Sequence, residues 1–148
     1  MLSRTEIVDV LNELLETCYD GLDGFRTAAS SVERPDAIIF FQSRAQRIDE
    51  AAAELYTAIR HLDGHPVEHG HRHAAVHRSW IHLRAATTPR GDDAVLAEVE
   101  RGEEEALRRY RHAAAKELPS DLHDLVADQC QGVEETLARI RALRSAPA

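Results

Sequence analysis

The sequence is poor in cysteine and in aromatic residues, and it has no long apolar run. Its 148 residues include only two cysteines, and 5% of the residues are aromatic. Two cysteines without a Cys-x-x-Cys pair cannot form the disulfide framework of a small secreted domain. We therefore expect Cys18 and Cys130 to be small core hydrophobes in a reducing compartment. No stretch approaches the roughly 20 apolar residues of a membrane-spanning helix.

Lysine is also nearly absent, and acidic residues outnumber basic ones. The formal net charge is −8, and Lys116 is the single lysine. Binding to a nucleic acid or to an anionic membrane requires clustered Lys and Arg, so we expect neither partner. The first residues, MLSRTEIVDVLNELL, lack the basic start and the continuous apolar segment of a signal peptide. This predicts a cytoplasmic location.

The residues that are present favour helices. Alanine and leucine are common, and apolar residues recur at spacings of three and four, which is typical of amphipathic helices. Ser3 and Glu6 form a capping-box motif at the start of the first helix, which should end near Ser31. Pro35 suits the first turn of a second helix, and Asp63-Gly64 should end it. The predicted buried positions of these two helices are Ile7, Leu11, Leu14, Cys18, Leu22, Phe25, then Ile38, Phe41, Ala45, Ile48, Ala52, Leu55, Ile59 and Leu62.

Two more long helices follow a connection that runs from about residue 64 to residue 93. We predict a short helix within this connection, at about residues 74–86, and a cap on Asp92 or Asp93 for the third long helix. Pro119 and Ser120 should open the last helix. The predicted buried positions are Leu96, Val99, Glu103, Ala106, Tyr110, Ala113, then Leu122, Val126, Cys130, Val133, Leu137, Ile140 and Leu143.

This order of helices predicts the fold. Short loops make two antiparallel hairpins, and a long link can carry the chain back along the bundle between them. One long crossover is the ferritin-like arrangement, whereas simple up-down bundles have only short loops. We therefore predict one all-α domain over residues 1–148, a ferritin-like four-helix bundle whose crossover contains a short extra helix.

Four segments carry a resemblance to a known family. They are VLNELLETCYDGLDGFRTAA, HRSWIHLRAA, LAEVERGEEEALRRYRHAA and GVEETLARIRALR, and together they span nearly the whole chain. With these segments the chain resembles a bacterial family of ferritin-like four-helix-bundle proteins whose domain has no assigned function. The resemblance implies the fold and a bacterial cytosolic setting that is often linked with stress responses. It implies no particular reaction.

A carboxylate-bridged di-iron site is the first chemistry to consider. It needs a Glu from each of two helices and a Glu-x-x-His from each of the other two. The one Glu-x-x-His, Glu68 to His71, lies in the predicted loop, and the bundle positions are nearly all apolar. Two carboxylates on the third helix, Glu100 and Glu103, are candidate altered metal ligands. Glu103 falls on the apolar face, and the competing interpretation is that it pairs with an arginine.

A histidine cluster at the start of the crossover is the second candidate site. The segment GHPVEHGHRHAAVH holds five imidazoles within thirteen residues. Imidazole is a common metal ligand, and Zn, Ni or Cu suits nitrogen donors. The competing interpretation is a polar loop that binds added metal weakly. The candidate ligands are Glu68, His69, His71, His73 and His77.

These patterns lead to one leading hypothesis and two alternatives. No phosphate-binding loop and no nucleophile motif occurs, and both cysteines lie on apolar faces, which raises the pKa of a thiol. The leading hypothesis is a non-catalytic bundle that works by association or binding, as a homo-oligomer with a dimer favoured. The alternatives are a di-iron oxidase or storage protein, and metal capture by the histidine cluster. The cofactor expected under either alternative is a divalent transition metal, namely Zn, Ni or Fe.

Overall fold

The computed structural model describes residues 1–70 and 91–146, and the regular elements in those ranges are all α-helices. They are α1 (Arg4–Ser31), α2 (Pro35–His61), α3 (Asp92–Ala114) and α4 (Ser120–Ser145). The all-α prediction is therefore confirmed. The short helix predicted at 74–86 lies outside the described residues. Within the described ranges, no helix combines the length and the apolar character that a membrane crossing requires.

Local sequence signals set the ends of α1 and α2 where they were predicted. The Ser3 hydroxyl accepts a hydrogen bond from the Glu6 backbone N–H, and the Glu6 carboxylate accepts one from the Ser3 N–H, both at 3.1 Å. Pro35 occupies the first turn of α2. Asp63 turns the chain after α2 with a positive φ of 58°, and Gly64 N–H donates to Ile59 O at 3.0 Å.

The predicted cap of α3 is wrong. The N-cap residue is Gly91, while Asp92 and Asp93 both lie inside the first turn. The Asp92 carboxylate instead accepts hydrogen bonds from the backbone N–H groups of Glu33 and Arg34, each at 2.9 Å. Those two donors lie in the loop between α1 and α2, so a non-local partner competes successfully with the local capping rule.

Contacts at the two ends of the bundle fix its topology. Asp92 joins the start of α3 to the end of α1, and Arg34 Nη1 donates to Leu143 O at 2.9 Å, joining the start of α2 to the end of α4. At the opposite end, Asn12 Nδ2 donates to His65 O at 3.0 Å. The chain between α2 and α3 therefore begins at one end of the bundle and finishes at the other, which confirms the predicted long crossover.

The core follows the predicted apolar faces closely. Every predicted position of α1 and α4 is buried. In α3 the larger Leu107 is buried and the predicted Ala106 is only partly buried, which puts more apolar area out of water. Helix α1 packs extensively on α2 and α3 on α4, whereas the neighbouring helices α2 and α4 make few contacts with each other. This uneven packing leaves a gap between α2 and α4.

Candidate functional site

A pocket of about 520 Å³ opens where α2 and α4 are loosely packed, and all four helices line it. We call it the central pocket. The side chains that define it are Cys18, Arg44, Glu54, Glu103, Tyr110 and Gln129. Its size falls within the usual range of small-molecule sites. A polar lining in the middle of a bundle distinguishes this region from the apolar core on either side.

An ion pair lies in the wall of the central pocket. Arg44 Nε and Glu103 Oε2 are 3.4 Å apart, and the two side chains are 13% and 4% exposed. The two atoms are not aligned for a hydrogen bond, and neither has another hydrogen-bond partner among the described residues. Burial raises the pKa of the Glu103 carboxyl from 4.5 to about 7, although the Arg44 charge acts in the opposite direction. Arg44 Nε and Glu103 Oε2 therefore attract each other by charge without forming a hydrogen bond between these two atoms.

A chain of hydrogen bonds crosses the same pocket and joins all four helices. The Tyr110 hydroxyl donates to Gln129 Oε1 at 2.8 Å, and Gln129 Nε2 donates to Ala51 O at 3.2 Å and to Glu54 Oε1 at 3.3 Å. Because the single Tyr110 proton is used in this way, the Cys18 thiol is the donor in its 3.4 Å contact with the Tyr110 oxygen. The chain fixes the positions of these side chains relative to one another.

Burial also determines the protonation of the two groups at the α1 end of this chain. It raises the pKa of Cys18 to about 11 and raises the pKa of Tyr110 well above 10. Both groups therefore stay protonated at neutral pH. A protonated thiol is a poor nucleophile, so the site is better suited to hydrogen bonding than to covalent chemistry.

Glu103 could be singled out from the sequence, whereas Arg44 and Gln129 could not. Arg44 is three residues after Phe41 and four before Ile48, and Gln129 is three after Val126 and four before Val133. These spacings place both polar residues beside the apolar faces. The spacing alone could have indicated both residues, but a polar residue that faces solvent beside an apolar face has the same spacing.

The predicted carboxylate ligands of α3 do not converge. Glu100 pairs with two arginines of α4, at 3.6 Å from Arg141 and 3.1 Å from Arg144. Glu103 faces α2 and pairs with Arg44, as the competing interpretation predicted. Their ion-pair partners lie on different helices, and a role of Glu100 and Glu103 as metal ligands stays a prediction.

Only part of the histidine cluster lies in the described residues. Glu68 is exposed, and His69 Nε2 lies 3.1 Å from both carboxylate oxygens of Asp23. The His69 ring also stacks on Tyr19, with ring centroids 4.6 Å apart. The other three predicted ligands lie outside the described residues, and these are His71, His73 and His77. The metal site at the crossover therefore stays a prediction.

Across residues 1–70 and 91–146, no three His, Cys, Asp or Glu side chains come together as a group that could hold a metal ion. The contact of His69 with Asp23 has a structural consequence instead. Together with the hydrogen bond from Tyr19 OH to Val67 O, at 3.1 Å, it fastens the beginning of the crossover along α1.

Comparisons with known proteins agree with this fold. The model of the family described as "Domain of unknown function (DUF2383)" matches residues 6–116. No curated protein matches the chain. Among solved structures, a mutant of Dps1 from Mycobacterium smegmatis superposes with a TM-score of 0.78 at 17% identity, covering 97% of this chain and 99% of that chain. At this identity the likeness shows the ferritin-like four-helix fold and nothing about the site.

Proposed function

This chain belongs to the DUF2383 family, and we propose that it works as a non-catalytic binding protein that holds a small polar molecule in the central pocket. The observation that carries the proposal is the ion pair of Arg44 and Glu103 in the pocket wall. Buried polar atoms are normally hydrogen-bonded, and leaving them unpaired costs free energy. A ligand that bonds to this wall would offset part of that cost.

Two further features support binding over catalysis. The hydrogen-bond chain through Tyr110 and Gln129 holds the pocket wall in a defined arrangement before any ligand arrives. Such preorganisation reduces the entropy lost on binding. The raised pKa of Cys18, about 11, keeps the pocket's thiol in its less reactive form.

Binding in the pocket can be tested with a blocking variant. Gly132 lines the pocket, and a Cβ atom built there would lie 3.6 Å from Arg44 Nη1, so Gly132→Leu should fill the space in front of the arginine. Gly102→Leu is the matched control, because a Cβ at Gly102 meets nothing within 4 Å. Both variants are first checked for helicity and thermal stability.

The probes are a defined mixture of small carboxylates, amines, amides and amino acids, observed by saturation-transfer NMR. We expect at least one class to bind the wild type and the Gly102→Leu variant but not the Gly132→Leu variant. If no probe binds the wild type, or if the Gly132→Leu variant binds them equally well, the proposal is wrong.

We also propose that the protein acts as a homo-oligomer, with a dimer favoured. We place the interface around Ile39 of α2, a large apolar side chain that is 66% exposed and that a second copy of the chain would remove from water. Sedimentation velocity should show a species larger than the monomer that Ile39→Lys converts to monomer. Tyr56→Lys, which changes an exposed apolar residue elsewhere on α2, should leave the assembly intact. A monomeric wild type would contradict this part of the proposal.

The family resemblance of the sequence also supports a proposal about where and when the protein acts in the cell. We place the protein in the cytoplasm and in a stress response. Cell fractionation and quantitative immunoblotting before and after starvation or oxidant treatment measure both properties. An unchanged protein level would remove the stress association, and recovery in the membrane fraction would remove the location.

A further inference from the structure

Only the Nε edge of the Arg44 guanidinium faces a charged partner among the described residues. Its Nε faces Glu103, and its side chain has no other ion pair among the described residues. Glu103 is the one charged partner of this guanidinium among residues 1–70 and 91–146. Gly132, which has no side chain, lies opposite Nη1 and leaves the approach from the pocket open.

This geometry suits one kind of ligand group. A guanidinium presents its two outer nitrogens as a planar fork, and that fork matches the two oxygens of a carboxylate. The arginine side chain is only 13% exposed, so packing limits the conformations that it can adopt before binding. An anionic group that reaches it would form charge-assisted hydrogen bonds away from bulk water.

The rest of the pocket lining has more acidic than basic side chains. Arg47 adds a second positive charge, but Glu50, Glu54 and Asp128 also line the pocket, in addition to Glu103. Glu103 is 4% exposed, and its Oε2 has no hydrogen-bond partner among the described residues. Two guanidinium groups thus oppose four carboxyl groups, so a bare anion would meet repulsion that a ligand with its own positive charge avoids.

We propose that the ligand of the central pocket is a small zwitterion, with a carboxylate bound by the outer nitrogens of Arg44 and an ammonium group facing the acidic residues Glu50, Glu54 and Asp128. This inference rests on the proposed function, since it names the ligand class of the same pocket. It assigns the two ends of the ligand to groups of opposite charge on the protein, and both ends can be tested separately.

Three probes of one chain length separate these contributions. They are 5-aminopentanoate, which carries both charges, pentanoate, which carries the carboxylate alone, and pentylamine, which carries the ammonium alone. Titration calorimetry at pH 7.5 should show that 5-aminopentanoate binds at least about tenfold more tightly than either of the others, since each loses one set of charge-assisted bonds. Equal or tighter binding of pentylamine overturns the inference, and so does failure of 5-aminopentanoate to bind.

Variants of α2 test the role of Arg44 itself. Arg44→Gln should weaken binding of 5-aminopentanoate by about tenfold or more, while Arg60→Gln, an exposed position on the same helix outside the pocket, should change it less than about twofold. If Arg44→Gln fails to fold, Arg44→Lys keeps the charge but loses the fork and should show an intermediate loss. Unchanged binding by a folded Arg44 variant overturns the inference.

The two proposals fail differently. Amine probes that bind the wild type but not Gly132→Leu, with no contribution from Arg44, would refute the zwitterion and leave the pocket as a binding site. Absence of binding by every class of probe would refute the proposed function itself.

Discussion

Arg44 and Glu103 come from different helices and bring opposite charges within 3.4 Å of each other inside the bundle, yet the two facing atoms, Nε and Oε2, form no hydrogen bond. Breaking a buried pair by removing one partner is costly, whereas the pair itself contributes little to stability, because desolvation of two charges offsets their attraction. A small net contribution to folding is compatible with the binding role proposed for this pocket.

Glu103 should make stability depend on pH. Its pKa in the folded chain, about 7, lies above its ordinary value of 4.5, because burial disfavours the charged form. Between these two values the folded state holds a proton that the unfolded state has released. The free energy of unfolding should therefore fall as pH rises from about 4.5 to about 7 and then level off, with a total change of at most about 3 kcal/mol.

Urea denaturation of the wild type and of Glu103→Gln across pH 4.5 to 8 measures this effect. The difference in free energy of unfolding between the two proteins isolates the group, because other titrating residues contribute equally to both. Glu104→Gln, on the exposed side of α3, should keep the wild-type slope. A wild-type minus Glu103→Gln difference that stays constant with pH would show that Glu103 is not buried as described.

Cys18 should react slowly in the folded protein. Its pKa is raised from 9.0 to about 11 by burial, so at pH 8 the thiolate fraction is lower than in the unfolded chain by roughly a hundredfold. Alkylation by iodoacetamide in a Cys130→Ala background should therefore be at least about a hundredfold slower without urea than in urea. Similar rates in both conditions would place Cys18 in contact with solvent.

Much of the fold could be predicted from the sequence, because local rules determine it. Ser3 with Glu6, Pro35 and the three-and-four spacing of apolar residues fix where helices begin and which side they bury. The long crossover followed from the length of the connection alone. These signals do not depend on how far apart the helices lie.

The site depends on the distance between helices, which the sequence does not give, and most of its residues were therefore not predicted. Arg44 and Gln129 occupy flank positions that would face solvent in a closed bundle, and they line a pocket here because α2 and α4 are loosely packed. Glu103 was found because it interrupts an apolar face. Asp92 was assigned to the wrong role because its partners, Glu33 and Arg34, are distant in sequence.

Gly64 should be intolerant of a side chain. A Cβ atom there would lie 2.8 Å from Val8 Cγ2 and 3.0 Å from Ile59 Cγ2, and the Gly64 N–H is already bonded to Ile59 O. Gly64→Ala should therefore lower the free energy of unfolding by about 1–3 kcal/mol through overpacking. Adding Val8→Ala should recover part of the loss in a double-mutant cycle.

Gly102 provides the comparison for Gly64. With nothing within 4 Å of its Cβ position, Gly102→Ala should stabilise the protein by up to about 1 kcal/mol, since alanine favours the helix. Urea denaturation of both variants under one set of conditions tests the pair. A Gly64→Ala variant as stable as the Gly102→Ala variant would mean that the turn after α2 does not pack on α1 as described.

Asp92 should stabilise its end of the bundle. Its carboxylate accepts two backbone hydrogen bonds, from Glu33 and Arg34, and so holds the α1–α2 loop against the start of α3. Asp92→Ala leaves both N–H groups without this partner and should cost about 1–3 kcal/mol in urea denaturation. Asp93→Ala is the matched control, because Asp93 is exposed and its nearest cation, Arg144, is 4.0 Å away. Because the Asp92 carboxylate is the acceptor for the amides of Glu33 and Arg34, hydrogen exchange at these amides should also quicken in Asp92→Ala but not in Asp93→Ala. Equal exchange in both variants would contradict the assignment.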